Sequence, residues 1–145
     1  MDYIDKQLVQ LLCKNARTPL KTLAETVGLS SPAVSTRIAR LENTGLITGY
    51  SARISLPAAG CPIKAYVSLE ILPEQKPEVL DFIRGCANVL ECDCVTGAYS
   101  LIIKTAFPHT EDLDRFIGDL QHFGRTQTQI VFANYLPPRE APVSD

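Results

Sequence analysis

Apolar positions recur with a helical period over the first third of the chain and with a strand period, interrupted by helices, over the rest. Ile4, Leu8, Leu11 and Leu12 fall at i, i+4, i+7 and i+8 and predict a helix from about Asp2 to Asn15. Arg17-Thr18-Pro19 breaks it, with Thr18 placed to cap a second helix and Pro19 suited to its first turn. Leu20, Leu23, Ala24 and Val27 continue the pattern until Gly28, which supplies the left-handed conformation of a helix stop. Ser30 reads as the N-cap of a third helix, with Pro32 in its first turn, Val34, Ile38 and Leu41 on a narrow apolar face, and Gly45 at its end. Two helices joined by the tight turn Gly28-Leu29-Ser30 form a helix-turn-helix. Leu46–Ile54 has strand composition, suited to a short hairpin or to a single strand leading away.

Residues 55–62, with two Pro, two Ala and one Gly, read as a linker. Beyond it Ile63, Ala65, Val67, Leu69 and Ile71 alternate with Lys64, Tyr66, Ser68 and Glu70, the signature of a half-buried strand that Pro73 ends. A helix is expected over 74–86, strands over 89–96 and 101–105, a helix capped by Thr110 and ended by Gly124, and a last strand over 126–135. The order β-α-β-β-α-β is that of the ferredoxin-like split βαβ, an antiparallel sheet with both helices on one face. The bare face is expected to be covered by a second copy. The fold class is therefore α+β: an N-terminal winged helix-turn-helix domain at 1–53, a linker at 54–62, a ferredoxin-like βαββαβ domain for dimerisation and effector binding at 63–136, and a tail at 137–145 that Pro137, Pro138 and Pro142 keep irregular.

Composition narrows the picture. Apolar residues make up 46%, which suits a globular chain rather than a disordered one. No apolar run approaches the ~18 residues that span a bilayer. The start, Met1-Asp2-Tyr3-Ile4-Asp5, is acidic where a secretory leader is basic, so a cytoplasmic protein is expected. The net charge of −2 hides an asymmetry: seven bases and four acids up to Arg53 against seven bases and twelve acids after it. A basic first third on an acidic body suits contact of that third with a polyanion. Five cysteines with no framework spacing read as reduced and buried in a cytosolic chain, and Cys92-x-Cys94 with His109 or His122 does not make a metal site. Glu111, Asp112, Asp114 and Asp119 read as a solvated helix face, and no phosphate-binding glycine loop or nucleophile elbow is present, so no enzyme and no cofactor are expected.

The third helix carries the candidate chemistry. Opposite its apolar side lie Pro32, Thr36, Ala39, Arg40 and Asn43, with Ser35 on the flank. A major groove admits a helix whose exposed face is compact and can hydrogen-bond. Ser31 to Ser35 would approach base edges, Arg40 either a base or a phosphate, and Arg37, near the buried side, either a phosphate or an acid at the core rim. The same face would also serve as the plain surface of a three-helix bundle. One small module makes few phosphate contacts, so useful affinity for double-stranded DNA needs two copies.

Gly28-Leu29-Ser30-Ser31-Pro32-Ala33-Val34-Ser35-Thr36-Arg37-Ile38-Ala39-Arg40-Leu41-Glu42-Asn43-Thr44-Gly45-Leu46-Ile47-Thr48-Gly49-Tyr50 resembles the DNA-binding core of the Lrp/AsnC family, the leucine- and asparagine-responsive type regulators. Asp5 with the apolar helix after it, and Ala16-Arg17, match as well, and the resemblance extends over nearly the whole chain. It implies transcription regulation, homodimers that often assemble into octamers or other higher oligomers, and often an amino-acid effector. In that family the turn between the second and third strands of the regulatory domain carries a glycine-acid-aromatic-acid motif lining a cleft between subunits. Thr96-Gly97-Ala98-Tyr99-Ser100 is the corresponding effector turn; Gly97 and Tyr99 match, and both acids are missing. An amino-acid effector's ammonium group wants an anionic or carbonyl partner, which leaves a zwitterion to the backbone amides and carbonyls around Thr96 to Ser100.

Two other functions fit the same architecture. Siroheme decarboxylases look similar to these regulators and are expected to place a histidine in the second regulatory strand; Leu90-Glu91-Cys92-Asp93-Cys94-Val95 has none. An architectural DNA-binding protein without an effector is the other, and Ala98 and Ser100 in place of the acids keep it open.

Overall fold

The structure is a computed structural model and describes residues 1–140 and Val143. Pro142, expected to help keep the tail irregular, lies outside the described residues. Backbone contacts divide the chain into a helical unit that includes Met1–Arg53 and a sheet unit of Ile54–Tyr135.

The helical unit holds α1 (Tyr3–Lys14), α2 (Leu20–Val27) and α3 (Ser31–Asn43). A capping box opens α1: the Asp5 N–H donates to the Asp2 carboxylate and the Asp2 N–H to that of Asp5, satisfying two otherwise orphaned donors. Thr18 does not cap α2. Its hydroxyl donates back to the Asn15 carbonyl at 2.7 Å, leaving Pro19 at the cap position with no side-chain acceptor. Gly28 ends α2 at φ 71°, and Ser30 caps α3 by accepting from the Ala33 N–H. Leu8, Leu12, Leu23, Ala24 and Val34 form the core, with Ile4, Leu11, Val27, Leu29, Ile38 and Ile47 packed around it. Each fully buried Leu or Val there contributes about 1.5–3 kcal/mol.

The expected strand over Leu46–Ile54, the wing of this domain, is not formed. Leu46 and Ile47 donate their N–H groups to the Leu41 carbonyl and so fold back on the end of α3, and among the described residues no other segment pairs with residues 48–54. A strand with nothing to pair with leaves its backbone groups to water.

The sheet unit opens with a wound turn rather than a loose linker. Ala59, Gly60 and Cys61 donate to the carbonyls of Ser55, Pro57 and Leu56. Then come β1 (Ile63–Leu69), a 3-10 turn (Pro73–Gln75), α4 (Lys76–Gly85), β2 (Val89–Cys94), β3 (Leu101–Phe107), α5 (Thr110–Gln121) and β4 (Thr126–Ile130). The strands pair antiparallel in the order β2-β3-β1-β4, the ferredoxin-like arrangement. Ala65, Val67 and Leu69 of β1 and Leu101 and Ile103 of β3 meet Val79 and Ile83 of α4 and Leu113, Phe116 and Leu120 of α5 in one core.

Four expectations at element ends fail for local reasons. Thr110 is the first residue of α5 rather than its cap, a position His109 occupies. The helix after β1 starts at Lys76 because Pro73–Gln75 winds more tightly. β2 stops at Cys94, where Val95 turns to bond Ser100. β4 stops at Ile130, opposite Ala65; the Val131 N–H still donates to the Lys64 carbonyl, and among the described residues the chain pairs no further along β1.

Candidate nucleic-acid interface and effector turn

One helix carries all seven candidate DNA-contacting residues. Pro32, Ser35, Thr36, Arg40 and Asn43 of α3 are exposed, and Ser31 and Arg37 are half-buried. The opposite side is fixed: Val34 is 0% and Leu41 4% exposed. The Thr36 hydroxyl donates to the Pro32 carbonyl at 3.0 Å, which leaves its oxygen available as an acceptor, while Ser35 makes no such bond.

Both arginines of this helix pair with acids at the start of α1. Arg37 Nη1 donates to Asp2 Oδ2 at 2.6 Å and to Asp5 Oδ1 at 2.8 Å, and Arg40 Nη2 donates to Asp5 Oδ2 at 2.6 Å. Within the unit the partners of Arg37 are acids at the core rim. For Arg40 the pairing corrects the reading of a guanidinium aimed away from the protein. Its Cβ leaves from the exposed side, but the long side chain swings back to α1 while keeping 56% exposure. The Asp5 side chain is 1% exposed. Burial alone would push its pKa up; the N–H of Asp2 and the Arg37 guanidinium outweigh that and hold it below the usual carboxylate value. Asp2 is held down at about 2, first by the Asp5 N–H and then by Arg37. The effect is a rigid joint between α1 and α3 that fixes the angle at which α3 presents its polar face.

The turn from Thr96 to Ser100 is closed by the Val95 N–H donating to the Ser100 carbonyl at 2.9 Å. Gly97 sits at φ 111°, a region that side chains rarely adopt, so glycine is required there by the backbone itself. Ser100 ties the turn to the end of β1: its N–H donates to the Leu69 carbonyl at 3.0 Å and its hydroxyl to that of Ile71 at 3.4 Å. Thr96, Gly97 and Ala98 are exposed, and Tyr99 and Ser100 half-buried. The Arg125 guanidinium lies over the Tyr99 ring at 5.3 Å, and its Nε stands 3.1 Å from Glu70 Oε2.

The remaining candidates separate. All five cysteines are free, but none is buried: Cys13 and Cys94 are exposed and the other three half-buried, contrary to expectation. Cys92 and Cys94 face the helix side of β2, at its edge, where the helices cover them only in part. Burial, with Asp93 and Cys94 nearby, pushes the Cys92 thiol up and away from thiolate chemistry. Among the described residues no three His, Cys, Asp or Glu side chains gather as a metal site. No described helix is long and apolar enough to cross a membrane.

Comparison with known proteins fits this geometry at both ends of the chain. Residues 1–42 match the AsnC-type helix-turn-helix domain, and residues 64–141 match the Lrp/AsnC ligand binding domain. The chain belongs to the Lrp/AsnC family. It is 32% identical over 132 residues to the HTH-type transcriptional regulator LrpA of Bacillus subtilis, covering 90% of this chain and 97% of that one. The crystal structure of the leucine response regulatory protein LrpA of Mycobacterium tuberculosis superposes with a TM-score of 0.83 at 30% identity, over 99% of this chain and 100% of that chain. The regulator NMB0573 of Neisseria meningitidis, solved as an L-Met complex, shares the fold with a TM-score of 0.89 at 21% identity, over 99% and 96% of the two chains. This Lrp/AsnC member is thus a helix-turn-helix transcriptional regulator with a ligand-binding domain.

Two groupings in this Lrp/AsnC chain were missed in the sequence. Asp5 carries a readable signal: it shares the buried face of α1 with Leu8, Val9 and Leu12, and a carboxylate in that position demands a cation. Glu70 and Arg125 carry none, since only the pairing of β1 with β4 makes them neighbours.

Proposed function

We propose that this regulator binds operator DNA as a homodimer, reading the major groove with Ser31, Pro32, Ser35, Thr36 and Asn43 of α3, and that an α-amino acid bound at the turn 96–100 modulates it. The observation that carries the DNA reading is the division of α3: one side locked into the core and bolted to α1 through Asp5, the other presenting small hydroxyl and amide side chains. Arg37 and Arg40 act mainly by holding that helix, and Arg40, half in solvent, has donors left for a phosphate. The second copy is expected on the sheet face away from the helices, where Tyr66, Ser68, Ile102 and Lys104 stand, and near Phe132 and Tyr135, which are 101% and 96% exposed. Aromatic side chains left this bare mark an interaction surface. The effector reading is supported by the matched ligand-binding domain and by a methionine-bound neighbour of the same fold.

The test uses DNA selected from a random-sequence pool by the wild-type protein. Ser35→Glu places a carboxylate in the phosphate field without touching the core, and binding is expected to fall more than about tenfold with an unchanged melting temperature. Undiminished binding by Ser35→Glu removes α3 as the reader. A monomer mass in sedimentation at DNA-binding concentrations removes the dimer.

A further inference from the structure

The turn 96–100 carries no charged side chain, yet an α-amino acid brings two charges that need partners. Among the described residues the charged group in contact with a side chain of the turn is Arg125, over the Tyr99 ring, and Arg125 in turn meets Glu70. We infer that Glu70 and Arg125 hold the charged head of the effector, the Glu70 carboxylate taking its ammonium group and the Arg125 guanidinium its carboxylate. The inference rests on the effector reading above and supplies what Ala98 and Ser100 lack.

The pair is placed by main chain rather than by side-chain reach. The Glu70 N–H donates to the Arg125 carbonyl at 2.9 Å, at the junction where β1 ends and β4 begins. Gly124 lets that junction close: a Cβ on it would lie 1.8 Å from the Glu70 carbonyl oxygen. The Ser100 bonds to Leu69 and Ile71 bring the turn to the same strand end, on either side of Glu70. Three elements thus converge on one spot, each tied there by backbone bonds.

Both groups have capacity to spare. Among the described residues the Glu70 side chain is paired with Arg125 alone, and the side-chain relative exposures are 49% for Glu70 and 65% for Arg125. The contact runs through Nε, one of five donors on a planar guanidinium, so an edge of the fork is free to take a carboxylate bidentately. Stacking on Tyr99 restricts the plane of that fork before any ligand arrives. The ammonium and carboxylate of an α-amino acid sit on one carbon, a spacing that lets a single head bridge two groups already in contact. A 2-oxo acid offers only the anion and a primary amine only the cation, so each satisfies half of the pair.

The experiment is a thermal-shift and titration series on the full chain with the twenty L-amino acids, followed by the 2-oxo acid and the decarboxylated amine matching any that bind. At least one amino acid is expected to raise the melting temperature of the wild type, with both analogues about tenfold weaker or worse. Glu70→Gln and Arg125→Gln are expected to weaken that amino acid about tenfold or more, and Arg84→Gln, which breaks a surface pair with Asp81 on α4, to leave it unchanged. If Glu70→Gln does not fold, Arg125→Lys decides, because it keeps the charge and loses the fork; unchanged affinity there overturns the inference. Wild-type affinity in Glu70→Gln and Arg125→Gln, with loss in Gly97→Asp, overturns the pair while the turn stands as the effector site. No shift with any amino acid overturns the effector reading and the pair together. Tighter binding of the 2-oxo acid assigns the site to organic anions and removes Glu70 from it.

Discussion

The two units use ionic pairs in opposite ways. In the helical unit Arg37 and Arg40 end on Asp5, whose side chain is 1% exposed and whose carboxylate accepts three hydrogen bonds, one from the Asp2 N–H of the capping box and one from each guanidinium group. In the sheet unit Glu70 and Arg125 meet in the open, over the face of Tyr99. Desolvation explains the contrast. A buried carboxylate whose cations are removed has nowhere to turn, whereas an exposed one is rescued by water. The first network is therefore a structural joint between α1 and α3, and the second is an exposed pair that water can part.

The largest expected effect follows from breaking the joint. Asp5→Asn keeps the size and the cap acceptor but deletes the charge between two arginines, and is expected to destabilise the helical unit by about 3 kcal/mol in urea unfolding. A loss below about 1 kcal/mol would put Asp5 on a level with a surface pair and erase the contrast.

Acid is the next way into the same joint. Asp2 in the folded chain is held at about 2, below the 3.8 of the free side chain, so the folded state binds fewer protons than the unfolded one between those values. Its stabilisation is complete above 3.8 and is lost as the pH falls through about 2, and Asp5, also shifted down, changes in the same sense. Urea midpoints are expected to be level above about pH 5 and to drop between about pH 4 and pH 2, more steeply in the wild type than in Arg37→Gln. Equal slopes in the two proteins would show that other carboxylates govern acid unfolding.

Gly124→Ala tests the sheet unit by its backbone instead of its charges. The added Cβ meets a carbonyl oxygen, which cannot rotate away, so the α5–β4 corner must shift. A destabilisation of about 1–3 kcal/mol is expected from such overpacking, with a loss of effector response. Ordinary stability would mean that the corner yields easily and that Arg125 is not firmly placed.

How much of this was legible in the sequence depended on range. The position of α3 is written within a few residues by Ser30, Pro32 and Gly45, and the sheet order by the alternation from Ile63 to Ile71 and the helical spacing of Leu113, Phe116 and Leu120. Where a hydroxyl had two local acceptors or donors to choose from, as at Thr18 and Thr110, the cap was misassigned. The strand at Leu46–Ile54 failed because composition states a preference and pairing requires an edge. The ion pair of Arg40 was not legible because periodicity fixes only the direction of a Cβ, and its guanidinium meets an acid 35 residues away. The candidate turn 96–100 was marked in the sequence by Gly97 and Tyr99, but its charged neighbours Glu70 and Arg125 follow β1 and precede β4 and become visible only once those strands pair.

The smallest expected effect is the one that most sharpens the contrast. Arg125→Gln removes the exposed pair with Glu70 and the stacking on Tyr99 while leaving the Arg125 carbonyl to its bond with the Glu70 N–H. An ion pair between groups this exposed contributes about 0–1 kcal/mol, and the ring contact about 0.5–1 kcal/mol. The unliganded protein is therefore expected to lose no more than about 2 kcal/mol in urea, against about 3 kcal/mol for Asp5→Asn. A loss as large as that of Asp5→Asn would make the Glu70–Arg125 pair a second joint: a contact the fold depends on cannot also open to receive a ligand, and the two units would then use their charges in the same way.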